Sequence, residues 1–544
     1  MMWTLVRRFL GQLHRLDRIA LMAFAAYASL YSVSVWAGTT PYARLTGDAA
    51  NIATFAAGRA HPELFAGDPV LANSSNYRFY ATIHIPVLLV LGKLTGSYGT
   101  STLLLLPVHV WLQLAGFYLL GRVFFQSWLW ALALTVVTSV TLILPLGEIW
   151  GLWPDALPRV TFQALLPFLL AAAYVWRAQV KAWPWLMMAA GALTYVHPVS
   201  APGWAAAIWL GFGPFLPSNW PMKKRAAWLA LMGLTCLAVA LPFAWLYMSS
   251  YEHGVKPPEI VAMWSREVYV SFRDAPGATA DFASTLWNLG LLPSALVAAV
   301  VVWRATKPDR SGVALLGCWT VGLLAVSTVV PTIDQAVARA HRGLPLEVDL
   351  IRGLRYLVPL LLIACVWAFA LLARRPDRLR WAACLALPLG LAWIDQGDEG
   401  LMRRLASWDE RRRAGVQLTE ALGALRRLTP AGALILPRAE GLAVRYEALR
   451  PVLFTEKDAN VLLYANQRDL PAFLARRERV RGLRALNSPA RELRAWIALG
   501  AEWGADYLLL DFPAVQEQIP PEQALRVWGN ESYSLLKLVS CYRS

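Results

Sequence analysis

Over its first 395 residues the chain alternates long apolar runs with short charged loops. A membrane span needs about 20 mainly apolar residues. Such runs lie near 19–37, 101–122, 127–146, 160–177, 183–197, 200–216, 226–248, 287–305, 312–331, 354–373 and 381–395. Helix is the element expected in each, because only a helix or a closed barrel satisfies its own backbone hydrogen bonds in hydrocarbon. The stretch Ile83 to Leu94 is apolar but short and carries His84, Pro86 and Lys93, so it reads as an interfacial helix. The first run, Ile19 to Ala37, reads as a retained anchor.

From about residue 396 the pattern changes to Arg- and Glu-rich helical sequence, as in LPAFLARRERVRGLRAL. Short β-like runs interrupt it: GALILP (432–437), PVLFT (451–455), YLLLD (507–511) and SLLKLV (534–539). These predict a small α/β domain. The fold class expected is therefore mainly α: a polytopic helical membrane protein of about 11 spans over 1–395, followed by an α/β domain over 396–544. AANIATFAAG predicts a further short amphipathic helix inside the first polar loop, residues 38–100.

Composition agrees with a life in lipid. The chain is 57% hydrophobic and 16% charged, against about 25% charged in soluble domains. Its 26 Trp suit the bilayer interfaces. The net charge of +16 does not point to nucleic acid, because the cations gather in short loops with few acids. They are Arg7, Arg8 and Arg15; Arg177 and Lys181; Lys223, Lys224 and Arg225; Arg304, Lys307 and Arg310; and Arg374, Arg375, Arg378 and Arg380. With eleven spans and the N-terminus inside, the positive-inside rule puts every cluster in the cytoplasm. The loops 38–100, 147–159, 249–286 and 332–353 and the tail then face outward. The five cysteines show neither a disulfide framework nor a metal spacing.

The outward loops hold the candidate chemistry. Asp48 follows the first span, with Asp68 one helix later; helix capping and a turn before Pro69 are their ordinary explanations. Glu148, Asp155 and Arg159 stand among Trp and Pro residues in the second loop. His197 ends an apolar run, where a packed histidine is the commoner finding. Lys256, Arg266 and Arg273 lie in the third loop, and Arg339, Arg342, Arg352 and Arg355 in or beside the fourth. Outward cations run against the inside bias. Arg352 and Arg355, three apart, share a helix face and could clamp a phosphate, or pair with Glu347 or Asp349. No HExxH, paired CxxC or P-loop occurs. Most of the spans are apolar throughout, with few ionisable residues inside them, which argues against a transporter.

An early Asp in a long loop after the first span, then GDAANIATFAAGRAHPELFAGDPVL and IHIPVLLVLGKLTGSYGTSTLLLLPVHVWLQLAGFYLLGRVFF, resembles the C-type (GT-C) superfamily of membrane glycosyltransferases. LRRLTPAGALILPRAEGLAVRYEALRPVLFTEKDANVLLY is similar to the tails of bacterial members. The resemblance implies transfer of a sugar from a polyprenyl-phosphate donor to a glycan, lipid or protein acceptor, outside the cytoplasmic (inner) membrane. It implies Asp48 as the catalytic carboxylate, with Asp68, Asp155, Glu148 and His197 supporting. Arg352, Arg355, Arg342, Lys256 and Arg266 would bind the donor phosphate. No cofactor is required, although some members hold Mg or Mn through loop acids, here Asp48 and Asp155. The alternative is a catalytically inactive relative serving as a scaffold or accessory subunit.

Overall fold

The computed structural model describes residues 15–36, 45, 47–78, 81–250, 257–268, 270–306, 310–341, 343–345, 349–373, 405–486, 488–514 and 516–539. Lys256, Arg342 and the apolar run 381–395 lie outside these residues. The chain is mainly helical. Among the described residues six helices are long and apolar enough to cross a membrane: Arg15–Trp36, Tyr98–Phe125, Pro158–Val175, Met222–Ser249, Ser311–Ala340 and Leu350–Leu372. A seventh is the pair Ala275–Asn288 and Leu291–Ala305, bent by 74°. Gly290, at φ +70°, makes that break.

The runs at 127–146, 183–197 and 200–216 form shorter helices than their length predicts, namely Trp128–Ser139, Trp183–Ala192 and Ala201–Gly211. At 1.5 Å per residue each rises only about 15–18 Å, well short of a hydrocarbon core of about 30 Å. They pack inside the helical body. The indoles of Trp183 and Trp204 are almost wholly buried, and Trp183 stacks on Phe212 at 4.4 Å. Met222–Ser250, by contrast, turns Leu234, Leu237, Leu241 and Trp245 outward, each more than 60% exposed.

One buried polar cluster ties the first two long helices together. Asp17 accepts from Tyr118 at 2.6 Å and pairs with Arg122 at 2.8 Å, joining the first long helix to the second. His84–Thr95 keeps His84, Ile85 and Leu88 inward and leaves Val90 and Leu94 bare.

The tail folds as a four-stranded sheet covered by helices. β3 (Ile435–Pro437) pairs parallel with β4 (Tyr507–Leu510), and β6 (Ser534–Leu538) pairs antiparallel with both β4 and β5 (Ala524–Gly529), in the order β3-β4-β6-β5. β1 (Leu142–Leu144) and β2 (Glu148–Trp150) form a separate hairpin between two of the helices. Of the four β-like runs, PVLFT yields only a single bridge, Ile435 to Val452. β5 arises from ALRVWG, which carries no strong β signal.

The tail is no free appendage. Ala49, Ile52, Ala53, Phe55, Phe65 and Val70 of the first loop share one hydrophobic core with Leu418, Leu422, Ile435, Val444 and Val452 of the tail. Tyr446 Oη accepts from the Leu45 amide at 2.9 Å, and Glu447 accepts from Ser97 and from the Gly99 amide at 2.7 and 2.8 Å.

Candidate functional site

Where the first loop, the β1–β2 hairpin, the helix starts and the tail converge, they enclose a cavity of about 670 Å³. The helices Pro158–Val175 and Leu350–Leu372 begin at it, and Met222–Ser249 ends at it through Tyr247. Ile52, Leu146, Phe243 and Phe272 give it an apolar part, and Asp, Glu, His, Lys and Arg side chains give it a polar one.

Asp48 enters from the helix Gly47–Ala60. Gly47 has φ +51°, a left-handed turn that brings the chain into the helix beside the cavity. Asp48 is therefore in the first helical turn, where the exposed amides and the helix dipole favour a carboxylate. It does not cap the helix with its side chain. Its one ion-pair contact among the described residues is Arg159 Nη2 at 3.9 Å, and its side chain is 35% exposed. The carboxylate is open to a ligand.

Glu148 is the reverse. Leu144 to Glu148 closes the hairpin, and Gly151, at φ +101° with the Val140 carbonyl against it, holds the second strand in place. The Glu148 side chain is fully buried among three guanidiniums. Arg159 Nη1 lies 3.3 Å and Arg352 Nη1 3.2 Å from its Oε1, and Arg355 Nη1 binds its Oε2. Burial alone would raise this carboxyl, but the charges of Arg355, Arg352 and Arg159 outweigh it and hold Glu148 below the usual carboxylate range.

Arg352 and Arg355 sit on a 3-10 turn, Leu350–Tyr356, at the start of the last long helix. Residues three apart eclipse in a 3-10 turn, so both guanidiniums leave on one side. Both are already engaged: Arg352 by Asp349 and Glu148, Arg355 by Glu148. Arg355 Nη2 also donates to Ser200 Oγ at 3.1 Å and to Tyr356 Oη at 3.0 Å. Ser200 Oγ lies 2.8 Å from His197 Nδ1. With Ser200 accepting from Arg355, its own hydrogen can go to Nδ1, which puts the imidazole hydrogen on Nε2. His197 lines the cavity.

Of the residues expected at a site, Asp48, Glu148, His197, Arg352 and Arg355 meet in this cavity. Asp68 does not. It is fully buried and accepts from Arg445 Nε at 2.7 Å and Nη2 at 2.9 Å, and from the amides of Val70, Leu71 and Val452. Arg445 is held on its other side by Asp458 at 2.5 Å. Asp68 is a structural lock. Asp155 is absent from the cavity wall. Arg266 is exposed and donates to the Ala262 carbonyl one turn back. Of the acids expected to hold a metal, Asp48 lines the cavity and Asp155 does not, and Glu148 is already bound by three arginines. Among the described residues no group of three or more His, Cys, Asp and Glu is placed to hold a metal ion.

The cavity also contains Arg159 and Asp349, which the sequence offers only as a loop cation and a pairing acid, and three tail residues that it does not single out. Arg159 contacts both Asp48 and Glu148, and Asp349 holds Arg352. Lys457, Asn460 and Tyr464 arrive from the tail. Only the spacing of the last three, along one face of the helix Asp458–Tyr464, offered a signal. No family model matches the sequence, and no curated protein matches it.

Proposed function

We propose that the protein is a membrane glycosyltransferase that moves a sugar from a polyprenyl-phosphate donor to an acceptor on the non-cytoplasmic side of the cytoplasmic membrane. The observation that carries this reading is a partly exposed carboxylate, Asp48, held only by a 3.9 Å contact to Arg159 among the described residues and facing arginines across a partly apolar cavity. Asp48 accepts the proton of the acceptor hydroxyl. The acceptor oxygen forms its bond to the anomeric carbon as the bond from that carbon to the phosphate oxygen breaks. The electron pair leaves with the phosphate, whose charge the cationic wall stabilises. The apolar wall at Ile52, Phe243 and Phe272 suits the polyprenyl chain.

The sidedness has its own support. Arg177, Lys181, Lys223, Lys224 and Arg225 lie at the ends of helices whose other ends reach the cavity. An 18-residue helix puts those ends about 27 Å apart. By the positive-inside rule the basic ends are cytoplasmic and the cavity and tail are outside. With the three short helices also counted as passages the described residues make ten, and the run 381–395, outside them, would be the eleventh that returns the tail to the cavity side.

Asp48→Asn tests the chemistry. It keeps the shape and removes the base, so sugar transfer from a polyprenyl-phosphate donor in proteoliposomes should fall by about 10²–10⁴-fold, with thermal stability unchanged. Normal transfer by a folded Asp48→Asn protein would sink the proposal and leave the non-catalytic scaffold.

A further inference from the structure

We propose that Lys457, supplied by the tail, is the seat of a phosphate ester in this cavity, with Asn460 beside it. This reading shares the cavity with the proposed reaction and rests on it for the donor's role, but it concerns binding and can fail separately.

The argument begins with which cations are already taken. Arg159, Arg352 and Arg355 converge on Glu148, and Arg352 has Asp349 as well. An anion approaching any of them competes with a buried carboxylate at contact distance. Lys457 differs. It lines the cavity, is half-buried, and among the described residues its ammonium has no carboxylate or hydrogen-bond partner. The side-chain amide of Asn460, three residues on, is likewise without a partner among the described residues and lines the same wall. A cation and an amide donor one turn apart can both reach the oxygens of one tetrahedral anion.

Position adds to charge. Gly47 and Lys457 line both the main cavity and a neighbouring cleft of about 200 Å³ that reaches Arg438, Glu440 and Arg484 of the tail. Lys457 thus stands where the membrane-side cavity opens toward the tail, next to the residue that precedes Asp48. A phosphate seated there leaves its hydrocarbon chain to the apolar wall. The tail itself is fixed to the first loop through Arg445 and Asp68, so the ammonium is carried on a rigid support. The phosphate seat expected on Arg352 and Arg355 therefore moves to the tail, and those arginines become the charged background behind it.

Two sources share this chemistry: a lipid phosphate headgroup and free phosphate. Calorimetric titration of the purified full-length protein in detergent, with farnesyl phosphate and separately with inorganic phosphate, distinguishes them. Lys457→Met should weaken farnesyl phosphate binding by about tenfold or more, the loss of one charged hydrogen bond. Lys457→Arg should stay near wild type, and Lys224→Met, at the opposite end of Met222–Ser249 from the cavity, should not change. If Lys457→Met fails to fold, Lys457→Gln carries the same expectation. Farnesyl phosphate binding that free phosphate does not match assigns the seat to a lipid headgroup. Equal binding of both assigns it to free phosphate, still on Lys457. Unchanged affinity in folded Lys457→Met, or no binding of either probe to the wild type, overturns the proposal. A binding loss in Lys457→Met together with full transfer by Asp48→Asn would keep the seat and discard the sugar transfer; the opposite pair of results would do the reverse.

Discussion

Glu148 shows how much one side chain can determine. A single buried carboxylate faces three guanidiniums, and among the described residues Asp349 and the more distant Asp48 are the other acids paired with them. Removing its charge leaves buried cations uncompensated, so Glu148→Gln should cost about 3–5 kcal/mol of stability, measured by unfolding in detergent. The pH dependence follows from its depressed pKa. The folded value lies below the unfolded value of 4.5, so the stabilisation is complete above that value and is lost as pH falls through the folded one. Acidification from about pH 6 to about pH 3 should therefore lower the melting temperature of the wild type more than that of Glu148→Gln. An equal shift in both would show that Glu148 is not the titrating group. Residue type alone could not have told Asp48 from Asp68. Both follow a glycine in the same loop. One stays open and the other is locked, because the deciding partner, Arg445, lies 377 residues further along.

Among the elements, those with a strong local pattern were legible. The amphipathic helix Gly47–Ala60, the interfacial helix His84–Thr95, the tail helix Leu470–Arg484 and strands β3, β4 and β6 stand where periodicity put them. Elements decided by neighbours were not. The run PVLFT reads as a strand, but it follows the turn that aims Arg445 at Asp68 and pairs only at Val452. The runs near 127–146, 183–197 and 200–216 are apolar enough to span, yet stop early where the hairpin and the His197 turn must reach the cavity. The Asp68–Arg445–Asp458 lock is the contact that joins loop to tail. Arg445→Ala would strand two buried carboxylates, at a cost of about 3–5 kcal/mol. Hydrogen exchange should then rise in both Gly47–Ala60 and Asp458–Tyr464. A rise in the tail alone would mean that the lock does not couple them.

At the scale of the whole molecule, the division at residue 396 marks a change of composition but not of packing, since the first loop and the tail share one core. Composition reports which solvent a segment was built for, whereas the shared core depends on contacts across most of the chain. Sidedness is open to direct test. Cysteines at exposed Glu63 and Asn219 lie on opposite sides in this arrangement. An impermeant maleimide added to intact cells should label Glu63→Cys and spare Asn219→Cys; the opposite pattern would invert the protein. The 377 residues between Asp68 and Arg445 also set a schedule. At roughly 5–20 residues per second, about 20–75 s of synthesis separate the two partners. Through that interval the loop bearing Asp48 lacks the tail's share of its core, so a chain cut short before Arg445 is made leaves Asp68 without its cation and the cavity without its tail wall. The cavity is thereby a late product of synthesis, one that the early segments prepare and cannot close.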